Sequence, residues 1–169
     1  MKEKRKFAVG VVSNNKFHVF GGHDGSSNSE TSEIISIDGS VEYGPELPEG
    51  VNNHAITSIN STVSLLSGGR TSATNFSSLT WYFNHETQAF SDGPNLIEAR
   101  YAHGSATCVD KVTQENIPIV AGGRGNGWAT LQTLSTFFGL FFPNNIFKVI
   151  FLSNVVRVVK ITLGAGGSI

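Results

Sequence analysis

The feature that most constrains this chain is a pair of glycines closing a short apolar run, and it occurs three times. KFHVF runs into Gly21-Gly22, TVSLLS into Gly68-Gly69 and IPIVA into Gly122-Gly123. The intervals, about 47 and about 54 residues, belong to a repeat architecture rather than to a single ligand loop. Glycine has no Cβ, so it accepts positive φ and lets another backbone come close. The pairs are therefore expected to be structural, marking strand ends that turn in a crowded place. The stretch GGRGNG lacks the lysine of a phosphate-binding loop, and no helical pattern follows it. No cofactor is expected.

The runs around each pair read as strands. In the first unit these are RKFAVGVV, KFHVF, Glu33–Asp38 and Ser40–Tyr43. The second has His54–Ile59, Thr62–Ser67, Leu79–Asn84 and Gln88–Phe90. The third has His103–Val109, Ile117–Ala121 and Thr130–Phe138. HDGSSNSETS and RTSATNFSS are too poor in apolar residues for strands and read as loops. A second block recurs in phase with the glycines. GPELPEGVNNHA aligns with GPNLIEARYAHG at an offset of 49, pairing Gly44 with Gly93, Leu47 with Leu96 and His54 with His103. Proline cannot donate to a ladder, so this block ends each unit.

A strand ending in a double glycine, an aromatic strand, then an aromatic-x-x-Gly-Pro-x-Leu block leading to Arg-x-x-His resembles the kelch repeat. The likeness covers about residues 5–135. It implies an all-β fold, a kelch-type β-propeller fragment of about three four-stranded antiparallel blades that is not closed. The blades would span 5–50, 51–99 and, in part, 100–138. It also implies a non-catalytic protein–protein interaction module presenting loops from one propeller face. The alternatives are a fragment of a kelch-type propeller enzyme acting on sugars and a protein tethered to a membrane by its apolar C-terminal tail. The departures are Val41 and Phe90 in the tryptophan slot before Gly-Pro, Val51 in the slot of Arg100, and Phe7 where the histidine would fall. Trp81 and Phe90, with Phe20 and Tyr82, are expected to pack between blades.

The residues after the double glycines are His23, Arg70 and Arg124. Equivalent positions of neighbouring blades share one rim, where cations would meet a carboxylate-bearing protein or peptide. These three are the candidate binding residues. His54 and His103 are expected to be hydrogen-bonded structural residues rather than metal ligands, because a repeat spreads equivalent residues apart while zinc needs ligands converging on one point. Cys108, the only cysteine, is expected to be an inert thiol buried in a strand. No acid–base or nucleophilic set stands out, so no enzymatic activity is expected. A net charge near −1 gives no reason to expect nucleic acid. The basic start MKEKRK reads as a solvated end. With no apolar run directly behind it, and one cysteine, a cytoplasmic protein is expected.

Residues 139–169 do not continue the repeat. They read as a strand-rich packing segment, a poor membrane segment or a terminus unrelated to the repeat. Pro143, Asn144, Asn145 and Lys148 interrupt the apolar run, which argues against a membrane span. Three units are few for a closed ring, so self-association through open blade edges is expected.

Overall fold

The computed structural model describes residues 1–126, 130–131 and 133–136, and the backbone of two further strands. The described residues are all-β, without an α-helix, and no helix among them is long and apolar enough to cross a membrane. Two four-stranded antiparallel meanders come first. Strands β1 (Val9–Ser13), β2 (Lys16–Phe20), β3 (Ser32–Ser36) and β4 (Val41–Tyr43) form sheet 1, in that order. Sheet 2 repeats the pattern with β5 (Ala55–Ser58), β6 (Val63–Ser67), β7 (Thr80–Asn84) and β8 (Ala89–Asp92). Sheet 3 holds β9 (Gly104–Val109), β10 (Asn116–Ala121) and β11 (Leu134–Thr136), with β10 in the middle. None of these sheets closes on itself. A separate antiparallel hairpin joins β12 (Asn145–Leu152) to β13 (Val155–Thr162), paired from Asn145 with Thr162 to Leu152 with Val155. The expected strand Thr130–Phe138 shortens to β11, and residues 137 and 138 lie outside the described residues.

The sheets pack face on face through side chains that alternate along each strand, as a period of two requires. Phe20 and Leu47 meet Leu66, Trp81 and Phe83 between sheets 1 and 2, with Phe90 against the cluster. The Phe20 and Phe83 rings meet edge to face at 4.9 Å, a favoured arrangement for the aromatic quadrupole. Leu65, Leu96 and Ile59 meet Val120 between sheets 2 and 3, with Tyr82 alongside. Trp81 is 3% exposed and Phe90 half-buried. Short backbone bonds also tie each unit to the next. Asn53 N–H donates to Phe7 O, and Ala102 N–H donates to Asn53 O. Phe7, Asn53 and Ala102 all have φ between +51° and +59°. This shared left-handed kink fixes the register of the repeat better than the sequence does. Ala8, whose Cβ faces Gly22 as His54 faces Gly69 and His103 faces Gly123, fills the histidine slot of the first unit, rather than Phe7.

The double glycine acts at these junctions. A Cβ on Gly21 would lie 2.7 Å from Val51 O and 3.0 Å from His54 Cε1. One on Gly68 would lie 2.6 Å from Arg100 O and 2.8 Å from His103 Cε1. The second glycine donates to that same carbonyl, Gly22 N to Val51 O and Gly69 N to Arg100 O, both at 2.8 Å. At Gly122 the nearest atom to such a Cβ among the described residues is 3.9 Å away. The crowding thus comes from the start of the following unit. The Gly-Pro block has a similar cause. Ser32 Oγ donates to Pro45 O at 2.6 Å and Thr80 Oγ1 to Pro94 O at 2.9 Å. A Cβ on Gly44 or Gly93 would sit on those hydroxyls.

The first residues are a solvated end only in part: Met1, Lys2, Lys4 and Lys6 are exposed, but Arg5 is not. Arg5 has a side chain 1% exposed. It donates to Gly21 O, Thr31 O and Thr31 Oγ1, as Arg100 does to Gly122 O, Thr133 O and Thr133 Oγ1. Its Nη2 also reaches the fully buried Glu33 at 2.8 Å. Guanidinium suits this place because its fixed fork of donors satisfies several acceptors at once. Cys108 also departs from expectation. It is exposed, because β9 is an edge strand of sheet 3 and the alternation turns Cys108 outward.

Candidate functional site

His23, Arg70 and Arg124 occupy equivalent places. Each exchanges two backbone hydrogen bonds with the residue before the left-handed kink: His23 with Lys6, Arg70 with Asn52 and Arg124 with Tyr101. The six bonds measure 2.8–3.1 Å. Beyond each lies a polar loop that turns back through a bridge to Asn28, Phe76 or Thr130. The loops therefore emerge on the same side of their units.

His23 and Arg70 face a common cleft of about 480 Å³ between the first two loops. Lys6, Asn28, Asn52 and Ser72 also line it. Arg124 is exposed and does not line this cleft. The floor is a relay of side-chain amides. Asn53 Nδ2 donates to Asn52 Oδ1, Asn52 Nδ2 to Asn28 Oδ1, and Asn28 Nδ2 to Arg70 O at 2.7 Å. This chain locks the first loop to the start of the second unit and holds the carbonyl of Arg70 in place.

The loops themselves are built from short local bonds. Asp24 accepts from the amides of Ser27 and Ser26, which holds its carboxyl below the usual range and folds the turn around it. That is the role expected of aspartate in a turn. His23 Nδ1 accepts from Gly25 N at 2.9 Å, so the neutral ring carries its hydrogen on Nε2. The Arg70 guanidinium donates to Ala73 O at 2.9 Å and lies 5.5 Å from the centre of the Tyr101 ring. Tyr101 in turn stacks on Phe76 at 4.6 Å. Arg70 is thereby braced from within its own loop and from the third unit.

The lining combines Lys6, Arg70 and His23 with amides and hydroxyls and, among the described residues, holds no acidic side chain. Such a wall can accept an anion with two or more oxygens, since guanidinium and hydroxyl donors both favour charged acceptors. Lys6 and the asparagine relay were missed in the sequence. Lys6 lay in a run of like charge, and Asn28, Asn52 and Asn53 looked like ordinary turn residues.

The histidines of the repeat lie away from this cleft. His103 Nε2 bonds to Ser67 Oγ at 3.0 Å, as expected of a structural residue. His54 departs from that expectation: neither ring nitrogen has a hydrogen-bond partner among the described residues. Phe20 stands where Ser67 stands in the next unit, so no hydroxyl is within its reach. Burial pushes His54 down to about 3 and His103 to about 4. No group of three His, Cys, Asp or Glu side chains among the described residues is placed to hold a metal. No protein-family model matches the chain, and no curated protein matches it.

Proposed function

We propose that the three units are consecutive blades of an open kelch-type β-propeller fragment. In this reading the chain is a non-catalytic, cytoplasmic interaction module that receives an acidic peptide between the His23 and Arg70 loops. The observation that carries it is the cleft wall, where Lys6, Arg70 and His23 share one lining and, among the described lining residues, no acidic side chain is present. The blade reading rests on the recurrence of one contact set. Left-handed kink, double glycine and hydroxyl-to-proline bond return at matching positions of units one and two. The bracing of Arg70 favours binding, because a held cation loses less freedom when a ligand arrives.

Fluorescence anisotropy with short labelled peptides tests this directly. Peptides carrying paired Asp or Glu residues bind, and copies with Asn or Gln in their place do not. Binding weakens as salt rises, since exposed charges are screened. Arg70→Ala and Lys6→Ala each weaken it, whereas Arg124→Ala, outside the cleft, changes it little. Equal binding of acidic and amide peptides, or indifference to Arg70→Ala, would remove the cleft as the contact surface.

A further inference from the structure

The repeat assigns a docking role to a surface on sheet 1. Sheet 2 buries one of its faces, with Leu66, Trp81, Phe83 and Phe90, on sheet 1. Strand register makes the corresponding positions of sheet 1 Val19, Glu33, Ile35 and Val41, of which Val19 and Glu33 are buried and Ile35 and Val41 half-buried. Around them Val12 is 69% exposed, Tyr43 52% and Phe17 41%. Scattered exposed apolar residues are ordinary, but a contiguous set on one sheet face marks an interaction site. At the other end, sheet 3 presents the positions that Phe20, His18 and Val9 hold in sheet 1. They are filled by Ala121, Ile119 and Gly104, with Ala106 and Cys108 beside them. All are exposed except the half-buried Ile119. One face is bulky and the other is made mostly of small residues.

We propose that two copies of the chain assemble head to tail. The partly exposed face of sheet 1 in each copy, with Val12, Phe17 and Tyr43, seats on the exposed face of sheet 3 in the other, in the geometry by which sheet 2 seats on sheet 1. The proposal rests on the blade reading above and is independent of the peptide cleft. Each contact joins two different surfaces, so it must either close into a ring or run on as a filament. Two copies of the three described units make six, inside the roughly 4–8 blades of closed propellers.

The boundary between sheets 1 and 2 also supplies a reporter. There Ser13 Oγ donates to Ser61 O at 2.9 Å. Cys108 holds the place of Ser13 in the third unit, and Asn15 holds that of Ser61 in the shorter β1–β2 turn. A short bis-maleimide should therefore join Cys108 of one copy to an Asn15→Cys side chain of the other.

The test is sedimentation velocity of the full chain over a range of concentrations, with that cross-link as a second reading. A discrete dimer is expected. Phe17→Lys and Val12→Lys each shift it toward monomer, with the dissociation constant raised roughly tenfold or more. Circular dichroism of each variant checks that the sheets persist, and Val12, the more exposed of the two, tolerates charge even if Phe17 does not. The Asn15→Cys protein gives a cross-linked dimer that Cys108→Ser abolishes. A monomer at every concentration, an open-ended series of oligomers, or a dimer indifferent to both lysines and to the cross-linker overturns the proposal. Peptide binding at the Arg70 cleft, measured on the same samples, reports separately on the interaction site.

Discussion

The first and second units share a backbone and differ in what fills one buried slot. In the first, Arg5 and Glu33 form an ion pair at 2.8 Å with both side chains almost wholly buried. In the second the same two positions hold Val51 and Trp81, 0% and 3% exposed. Glu33 takes two further bonds, from the amides of Lys2 and Glu3, so the charge is met from several sides. The third unit keeps the arginine, Arg100, but puts Ser135 opposite it. The repeat thus dictates a shape and leaves the chemistry of this slot open. A buried ion pair is weak evidence of net stabilisation, and a well-packed apolar pair often replaces it at no loss.

The largest expected effects come from removing one member of either pair. Trp81→Ala leaves a cavity and should cost about 3–5 kcal/mol. Arg5→Ala leaves Glu33 buried without its guanidinium and should cost about 3–5 kcal/mol near neutral pH. Urea titration gives both figures, and the pH dependence separates them. Burial alone would raise the Glu33 pKa, but the Lys2 amide, the Arg5 side chain and the Glu3 amide outweigh it and hold it low. Its contribution is therefore present above the carboxylate's unfolded value and lost as pH falls through the folded one. Without Arg5 the folded pKa rises, so the deficit of Arg5→Ala narrows in acid, while that of Trp81→Ala does not. A deficit constant with pH would mean that Arg5 acts through its bonds to Gly21 and Thr31 and its packing rather than through Glu33. The transplant Arg5→Val with Glu33→Trp should recover most of the loss, and failure to do so would show that the two slots differ in shape after all.

A smaller effect separates His54 from His103. Desolvation pushes both below their unfolded value, as it does His18, which falls to about 4. The unfolded chain then binds more protons than the folded one between about pH 6.5 and 4, so stability falls as pH falls through that window. His54→Leu should flatten part of this slope at a cost below roughly 1.5 kcal/mol at pH 7.5, because no hydrogen bond is lost. His103→Leu strands Ser67 Oγ and should cost about 1 kcal/mol more. Equal costs would mean that the Ser67 bond contributes nothing. The smallest effect belongs to Arg70→Ala, whose loss of the ring contact should change stability by roughly 0.5–1 kcal/mol in thermal melts while removing most of the acidic-peptide binding.

The legible parts of the fold were those whose cause lies close in the chain. A glycine pair next to its strand, a Gly-Pro block and an alternation of valine and isoleucine can be read along a line. Arg5 could not be read in this way, because Glu33 and Thr31 lie on another strand and nothing local marks them. Cys108 was expected inside because it sits in a strand, but which face of an edge strand is covered depends on the neighbouring sheet. The candidate cleft was half legible. Phase brought His23 and Arg70 together as equivalents, while the asparagine relay joining their loops depends on how two units meet. Phase also placed Arg124 in the set, but Arg124 does not line this cleft.

The bond from Gly22 N–H to Val51 O has a consequence for how the protein is made. A unit's glycine turn is completed by a carbonyl about thirty residues downstream, so its contacts remain modest in sequence separation. Emerging from a ribosome, the first sheet could pair its four strands but could not secure its inner turn until Val51 had followed. The second sheet waits in the same way for Arg100. Folding would then advance as a ratchet from the amino terminus, each new linker latching the sheet before it, and a stalled chain would carry one unlatched sheet rather than an unfolded tangle.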